Sequence, residues 1–350
     1  MPVNDLTPPK HLLIMRLSAI GDVAMTVPVV LAIRQQYPEM KITVVSRPFF
    51  EPFFSSIPDL NFYAADIENS QSGVLNLFRI YKSLAKFNID AFADLHNVLR
   101  TIVMGTFFKL AGVPVVTVNK GRPERKKLTA LTPKNIMPIK SMFERHADVC
   151  AQLNLPINLS EVKLLDKKEL SKEVVELTGE KQSKWIGIAP FATYDTKMYP
   201  VDLIKEVIKL IPQKDHTVFF FGGGAKEVAI LQEIESQFKN CVNIAGTLAF
   251  EKELELISQL DLMISMDSGN GHMAAMFDVP VITLWGNTHP FAGFVPFNQP
   301  LSNSIVPDLK AYPLLPTSVY GNKIIENYQD CMKTISPKAV IEKINEVLDH

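Results

Sequence analysis

The chain has little of what marks disulfide-bonded, zinc-binding or membrane-spanning proteins. Its 350 residues include three cysteines, Cys150, Cys241 and Cys331, which are widely spaced and form no CxxC pair. This pattern excludes a disulfide framework and gives no zinc signature. Charges or prolines interrupt the apolar segments before they reach a membrane-spanning length, and the start, MPVNDLTPPKH, lacks the apolar core of a signal peptide. We therefore expect a cytoplasmic protein without a transmembrane segment.

An excess of charge and the common nucleotide motifs are also missing. Lys and Arg number 36 against 37 Asp and Glu, so the net charge of -1 excludes the global basic field typical of nucleic-acid binding. No GxGxxG or GxxxxGK[ST] occurs, which removes the main support for a dehydrogenase or a P-loop NTPase. The chain also contains no DxD pair, so we expect no metal to hold a diphosphate.

The sequence does contain two series of alternating strand-like and helical segments. Apolar runs occur at 12–17, 41–46, 89–95 and 114–118, and again at 184–190, 216–222, 260–265 and 279–286. Alternation of this kind predicts an α/β protein with two doubly wound parallel sheets. A charge-rich stretch predicts the linker within 165–180, and the last segment predicts a helix over 336–348, with Ser336 as N-cap and Pro337 at the first helical position.

One carboxylate follows the first predicted strand. In LLIMRLSAIGDVAMTVPVVLAI (12–33), only Arg16 interrupts the apolar run, and Asp22 precedes apolar residues at helical spacing. An aspartate here favours an N-cap role, because its carboxylate accepts hydrogen bonds from the first amides of a helix. The alternative is a general base in a ligand crevice, where the helix N-terminus keeps the carboxylate ionised. The loop alone does not decide between the two.

Small and polar residues follow several strands of the second half. The stretch ISMDSGNGHMAAMFDVPVITLWGNTHP (264–290) places a glycine-rich loop before a helix, an arrangement that suits a phosphate as well as an ordinary tight turn. Because the carboxyl ends of parallel strands share one edge, we expect side chains from several loops to converge on one crevice. The candidates are Thr193, Thr196, Lys197, Glu227, Asp267, Ser268, Gly269 and His272.

The first half carries a basic loop and a second polar strand end. NKGRPERKKL (119–128) includes Arg122 and Arg125, and its usual explanation is a solvated loop, with contact to an anionic acceptor as the alternative. DLHNVLR (94–100) places His96 and Arg100 at the same edge as Asp22. Capping is the ordinary role of such residues, and acceptor binding is the alternative.

The motifs resemble one known family, the ADP-heptose:lipopolysaccharide heptosyltransferases of glycosyltransferase family 9. LLIMRLSAIGDVAMTVP is similar to the opening strand, S-x-x-GD loop and helix of that family. DSGNGHMAAMFDVPVITLWGNTHP is similar to its D-[ST]-G-x-x-H-x-A-A segment followed by G-x-T-x-P, which adds Thr288. Asn270, Gly271 and His289 depart from the usual residues, so the sugar stays open.

The resemblance implies a GT-B fold, in which two Rossmann-like domains face each other across a cleft. We expect an acceptor domain over 1–170, a nucleotide-sugar domain over 171–335, and a C-terminal helix over 336–350 that packs back on the first domain. The implied partners are a nucleotide-sugar donor and an anionic glycolipid acceptor at the inner face of a membrane. ADP-sugar is then a substrate, and no cofactor or metal is expected.

The implied reaction is inverting transfer of a heptose or related sugar to a lipopolysaccharide core. In this assignment Asp22 is the catalytic base and Lys197 assists the leaving diphosphate. The donor would contact Thr193, Thr196, Glu227, Asp267, Ser268, Gly269, His272 and Thr288, and the acceptor would contact His96, Arg100, Arg122 and Arg125. A sugar-nucleotide epimerase or hydrolase of the same fold, and a sugar-nucleotide-binding protein without activity, are the alternatives.

Overall fold

The computed structural model describes residues 7–67, 73–132 and 134–349. They divide into two compact units. The first contains the chain up to Gly121 together with Ser141–Leu165, and the second contains Arg122–Lys140 and the chain from Asp166 onward. This division differs from the single boundary expected at 170/171, because residues 122–140 are part of the second unit although they precede the end of the first.

Each unit is built on one parallel sheet. Within the described ranges, the first unit has a five-stranded sheet in the order β3-β2-β1-β4-β5, and the second has a six-stranded sheet in the order β11-β10-β9-β6-β7-β8. The strands are β1 (His11–Met15), β2 (Lys41–Ser46), β3 (Leu60–Ala64), β4 (Ala91–Asp94), β5 (Val115–Thr117), β6 (Lys184–Ala189), β7 (His216–Phe220), β8 (Cys241–Asn243), β9 (Leu262–Met266), β10 (Val281–Leu284) and β11 (Ser304–Ile305).

Helices connect these strands and cover both faces of each sheet. They are α1 (Ile20–Ala24), α2 (Val27–Gln36), α3 (Val74–Ala85), α4 (Leu99–Leu110), α5 (Arg122–Leu128), α6 (Met142–Gln152), α7 (Lys172–Thr178), α8 (Val201–Leu210), α9 (Ala225–Glu235), α10 (Phe250–Ser258), α11 (Gly269–Ala275) and α12 (Pro337–Leu348). The central strands β1, β9 and β10 are buried along their whole length, as expected of parallel strands covered on both faces. The predicted α/β class with two doubly wound parallel sheets is confirmed.

Two segments differ from the sequence-based expectation. The basic stretch 119–128, expected to be a loop, contains helix α5, whose Arg125 and Leu128 are buried. The predicted linker at 165–180 contains helix α7, with Val174 in the interior. Charged surface residues dominate the composition of both segments. The few buried residues that hold each helix in place therefore give only a weak signal in the sequence.

Helix α12 begins as predicted and packs in the second unit. The Ser336 side chain accepts a hydrogen bond from the Ala339 amide at 3.2 Å, and Pro337 occupies the first turn. Val340 and Ile344 enter the core of the second unit, where α12 packs against α8. The expectation that this helix also packs back on the first domain stays a prediction. Across residues 7–67, 73–132 and 134–349, every helix falls short of the length and apolar content that a membrane span needs.

Candidate functional site

Both sheets have a point at which the strand order reverses. In the first unit β1 lies between β2 and β4, and in the second unit β6 lies between β7 and β9. Ligands of open α/β sheets bind outside the carboxyl ends of the strands at this point. The segments that follow β1, β4, β6 and β9 carry Asp22, His96, Lys197 and Asp267 respectively. The structure thus places four sequence-predicted residues at the switch point of their own unit.

In the first unit, Asp22 is bound by a buried arginine. Its Oδ2 atom lies 2.7 Å from a terminal guanidinium nitrogen of Arg16 and accepts the Ala19 amide at 3.3 Å. Arg16 also donates to the carbonyl oxygens of Ser18 and Leu95, each at 2.8 Å. The Asp22 side chain remains 32% exposed, whereas that of Arg16 is 7% exposed. A fixed and accessible carboxylate can accept a proton from a bound substrate.

The N-cap role considered for Asp22 is wrong in its position. The N-cap of α1 is Ala19, and Asp22 is the third residue of the helix, from which its side chain reaches back to the Ala19 amide. Sequence reasoning also missed Arg16 as the partner of Asp22. The signal was present, because Arg16 is the one charge in an otherwise apolar run.

The loop after β4 is held by its own aspartate. Asp94 is buried, and its Oδ1 atom accepts hydrogen bonds from the amides of His96 at 3.0 Å and Asn97 at 2.9 Å. The Nδ1 atom of His96 accepts the Leu17 amide at 3.3 Å, which joins this loop to the loop after β1. Burial, with a contribution from Arg16, lowers the pKa of His96 to about 3. His96 is therefore neutral, and its first role is structural.

A second buried histidine lies in the same unit. His146, on α6, is buried, and neither ring nitrogen has a hydrogen-bond partner among the described residues. Burial, followed by the positive charge of Arg16, lowers its pKa to about 3, while the charge of Asp22 raises it. These electrostatic interactions place His146 near the Arg16–Asp22 pair. Sequence reasoning did not single out this residue.

Acid should destabilise the protein through this histidine. Because the folded-state pKa of His146 lies below the ordinary value of 6.5, the unfolded chain binds a proton that the folded chain does not, and stability falls as the pH decreases from 6.5 toward about 3. We expect His146→Phe to reduce this slope by ~1 kcal/mol per pH unit. Urea unfolding at pH 7, 6 and 5 measures it. His216→Gln is the control, since that ring is only half-buried; equal slopes in wild type and His146→Phe would contradict the prediction.

The basic residues expected at the acceptor occupy different environments. Arg100 and Arg122 are exposed, at the start of α4 and of α5. Arg125 is buried in the second unit, where its guanidinium lies 4.8 Å from the centre of the Phe294 ring and donates to the Tyr320 hydroxyl at 2.8 Å. Arg125 is therefore not part of a solvated loop, and acceptor binding by Arg125 stays a prediction. For Arg100 and Arg122 acceptor binding stays a prediction.

In the second unit, Lys197 and Asp267 form an ion pair across the switch point. The Nζ atom of Lys197 lies 3.0 Å from Oδ2 of Asp267, and the two side chains are 12% and 9% exposed. The pair joins the segment after β6 to the loop after β9, which are far apart in the sequence. A cation enclosed in this way interacts more strongly with a bound anion than a surface lysine would.

The segment that carries Lys197 is tightly enclosed. Thr196 donates its hydroxyl hydrogen to the carbonyl oxygen of Gly321 and accepts the Asn287 amide on its own carbonyl at 3.1 Å. A Cβ atom on Gly286 would clash with the Thr196 carbonyl oxygen, and one on Gly321, whose φ is +85°, would clash with Cδ of Lys197. Only glycine permits these approaches. The aliphatic part of Lys197 therefore has a fixed path.

The remaining predicted donor residues lie in segments that follow strands of the same sheet. Ser268 is the N-cap of α11, and its Oγ atom, like Oγ1 of the buried Thr288, has no hydrogen-bond partner among the described residues. His272 is buried in the body of α11. Glu227 accepts the Gly223 amide at 2.8 Å, so it already caps the glycine-rich turn before α9. Thr193 is exposed beside the 3₁₀ turn that contains Lys197.

A cavity of about 790 Å³ in the first unit is separate from this chemistry. Lys10, His11, Tyr37 and Lys41 are among its lining residues. His11 and Lys41 begin β1 and β2, so the cavity lies at the amino edge of the sheet, opposite the switch point.

In the part of the chain that the structure describes, no group of three or more His, Cys, Asp or Glu side chains could hold a metal ion.

Comparison with known proteins identifies the family of this chain. The family model for glycosyltransferase family 9 (heptosyltransferase) matches residues 77–318. The chain is 26% identical to the lipopolysaccharide core heptosyltransferase OpsX of Haemophilus influenzae over 299 residues, which cover 83% of each protein. It is 25% identical to lipopolysaccharide heptosyltransferase 3 of Escherichia coli over 281 residues, which cover 77% of this chain and 80% of that protein.

Solved structures share the fold over almost the whole chain. A family 9 glycosyltransferase from Veillonella parvula superposes with a TM-score of 0.74 at 19% identity, with 97% of each chain covered. Escherichia coli heptosyltransferase WaaC with ADP superposes with a TM-score of 0.68 at 17% identity, with 96% of this chain and 99% of that chain covered. These likenesses confirm the GT-B fold class.

Because the family model covers more than half of the chain, the protein belongs to glycosyltransferase family 9 (heptosyltransferase). It is accordingly a glycosyltransferase, and the resemblance seen in its sequence motifs is confirmed.

Proposed function

We propose that this enzyme transfers a heptose from ADP-heptose to a lipopolysaccharide core acceptor, with inversion at the anomeric carbon and without a metal ion. Relatives named as lipopolysaccharide core heptosyltransferases support the sugar and the acceptor class. Relatives solved with ADP and with ADP-2-deoxy-2-fluoro heptose support the donor. The acceptor would be met at a membrane surface, because the lipid part of such a core is anchored there.

The proposed reaction type is inferred from one observation, the pair of charged groups at the two switch points. The first unit presents an oriented carboxylate at its switch point, whereas the second unit presents an enclosed ammonium group at its own. Glycosyl transfer from a nucleoside diphosphate needs these two groups, a base for the incoming hydroxyl and a positive charge for the departing diphosphate. Asp22 and Lys197 fit these roles.

The proposed reaction is a single displacement at the anomeric carbon. The acceptor hydroxyl oxygen attacks the anomeric carbon and gives its proton to Asp22. As the new C–O bond forms, the bond from the anomeric carbon to the diphosphate oxygen breaks, and ADP leaves with that electron pair. Lys197 compensates the negative charge that develops on the diphosphate. Since attack and departure occur on opposite faces of the carbon, the anomeric configuration inverts.

ADP binding is expected to be unaffected by chelation. The positive charge for the diphosphate comes from Lys197 in this proposal, and the sequence offers no DxD pair for a metal. Isothermal titration of ADP should give the same Kd in buffer with EDTA and in buffer with Mg²⁺. A clear loss of affinity in EDTA would contradict a metal-independent site. The same titrations with UDP and GDP test the nucleotide.

The activity itself is tested with ADP-heptose and a core acceptor that lacks the transferred heptose. We expect ADP release only when both substrates are present, and a product whose anomeric configuration, read by NMR, is opposite to that of the donor. Release at the same rate without acceptor would indicate the hydrolase alternative. A change in the donor without ADP release would indicate an epimerase, and ADP binding without turnover would indicate a binding protein.

A further inference from the structure

Helices α3 and α4 of the first unit carry several large apolar side chains that face solvent. Leu75 is 77% exposed and Phe78 is 41% exposed on α3, while Leu99 and Leu110 of α4 are 77% and 82% exposed. The Phe78 and Phe107 rings meet edge to face at 5.4 Å and join the two helices. On α4, steps of three and four residues connect Leu99 through Phe107 to Leu110, so these residues lie along one stripe.

We name this surface the α3/α4 face and define it by Leu75, Phe78, Lys82, Leu99, Phe107 and Leu110. The face is distinctive because large apolar side chains normally turn inward on a helix that covers a sheet. Here each helix has a second apolar side. Leu77, Ile80 and Leu84 of α3 and Met104 and Phe108 of α4 enter the core of the unit. Leu75, Leu99 and Leu110 are additional to that core, whereas the half-buried Phe107 packs against it.

All charged residues of the two helices are basic. The segments VLNLFRIYKSLA (74–85) and LRTIVMGTFFKL (99–110) contain Arg79, Lys82, Arg100 and Lys109 and no aspartate or glutamate. The whole chain carries a net charge of -1, so this is a local separation of charge. The Lys82 ammonium lies 5.3 Å from the centre of the Phe78 ring. This cation–π contact places a positive charge directly beside an exposed aromatic ring of the face.

We infer that the α3/α4 face docks this enzyme on the surface of an anionic lipid bilayer. Exposed leucine and phenylalanine beside lysine and arginine, with no acidic residue, is the pattern of helices that lie in a lipid interface. Anionic headgroups complement the basic residues, and the acyl boundary complements the apolar ones. A second copy of this chain fits poorly, because a two-fold contact through the face would bring its positive charges together.

The location of the face suits the acceptor side of the reaction. In a parallel sheet the helix that follows a strand begins near the carboxyl edge, so α3 and α4 both begin at the edge where the Asp22 loop lies. Leu99 follows the loop of Asp94 and His96 directly in the sequence. This step rests on the proposed function, since it assumes a lipid-anchored acceptor. Docking on the bilayer is independent of that assumption and is tested without catalysis.

The experiment is co-sedimentation of the full chain with vesicles of phosphatidylcholine alone or mixed equally with phosphatidylglycerol. We expect binding to the anionic vesicles, weakened by salt, and a partition coefficient at least ~10-fold lower for the double variant Leu75→Asp/Leu110→Asp. The double variant Lys82→Glu/Lys109→Glu should lose the dependence on phosphatidylglycerol. Matched controls from the second unit are Ile324→Asp, at a side chain that is 74% exposed, and Lys338→Glu, at one that is 82% exposed; both should bind like wild type.

Folding and function are separated from docking in the same samples. Thermal melts and ADP titration should be unchanged in the α3/α4 variants, as should transfer to a core oligosaccharide without its lipid. The inference is overturned if wild type ignores anionic vesicles at low salt, or if the Leu75→Asp/Leu110→Asp variant sediments with them like wild type. It is also overturned if sedimentation velocity shows that wild type forms a dimer, that the Leu75→Asp/Leu110→Asp variant is a monomer, and that wild type does not bind vesicles. Failure of sugar transfer with intact vesicle binding would contradict the proposed function alone.

Discussion

Asp22→Asn is expected to lower kcat by ~100-fold or more, because the amide cannot accept the proton of the acceptor hydroxyl. Donor affinity should be almost unchanged, since the carboxylate acts on the acceptor. The amide oxygen can still accept the Ala19 amide, so helix α1 should keep its start. The loss of the 2.7 Å ion pair with Arg16 should cost about 1 kcal/mol of stability, because the Asp22 side chain is partly exposed. Single-turnover kinetics and urea unfolding measure the two effects.

Asp202→Asn is the matched control for this variant. Asp202 is also an aspartate in the first turn of a helix, α8, and it is exposed. Its replacement should leave kcat unchanged. The mechanism proposed for Asp22 would be refuted by a folded Asp22→Asn enzyme that binds ADP and turns over at the wild-type rate. The carboxylate would then serve only the start of α1 and the position of Arg16.

Lys197→Met is expected to weaken ADP binding by ~100-fold or more. The variant removes the enclosed positive charge and leaves the Asp267 carboxylate, only 9% exposed, without its 3.0 Å partner beside an anionic ligand. Stability should fall as well, because a buried charge that loses its partner is costly. Lys181→Met is the matched control, since Lys181 forms a comparable 2.9 Å pair with Asp261 in the same unit. The control should bind ADP like wild type.

The double variant Lys197→Met/Asp267→Asn separates ligand binding from structural pairing. With the unpaired carboxylate removed, the unfolding free energy should recover much of what Lys197→Met loses. ADP affinity should stay low, because no cation has been restored. If the double variant binds ADP like wild type, Lys197 serves only to neutralise Asp267. Titration calorimetry and thermal melts of wild type, the two single variants Lys197→Met and Asp267→Asn, and the double variant measure the coupling between the two side chains.

The central strands were predicted from the sequence because buried parallel strands are continuous apolar runs. The strands that the prediction missed, β3, β8 and β11, all lie at an edge of their sheet. An edge strand pairs on one side only and is often short, as β8 and β11 are with three and two residues. Such segments bury little apolar surface, so their sequences carry a weak signal. Their position in the fold is set by the neighbouring strand.

The site could be predicted as far as the carboxyl ends of the strands and no further. The topology rule brought Asp22, Lys197 and Asp267 to the switch points, because it depends only on strand order. The contacts with Arg16 and with Gly321 depend on side-chain geometry that no motif encodes. Arg125 illustrates the limit. A basic run predicts a solvated loop, but this arginine is buried by Phe294 and by Tyr320, which lies 195 residues away in sequence.

The path of the chain between its two units determines how this enzyme could be recombined with a relative. The chain leaves the first unit after Gly121, returns after Lys140 and leaves again after Leu165. A hybrid gene with one junction at 165/166 would therefore insert α5 of one parent into the second unit of the other. Its Arg125 would then depend on a foreign Phe294 and Tyr320 for its burial. Only an exchange of 122–140 together with everything from 166 onward keeps each unit from a single parent.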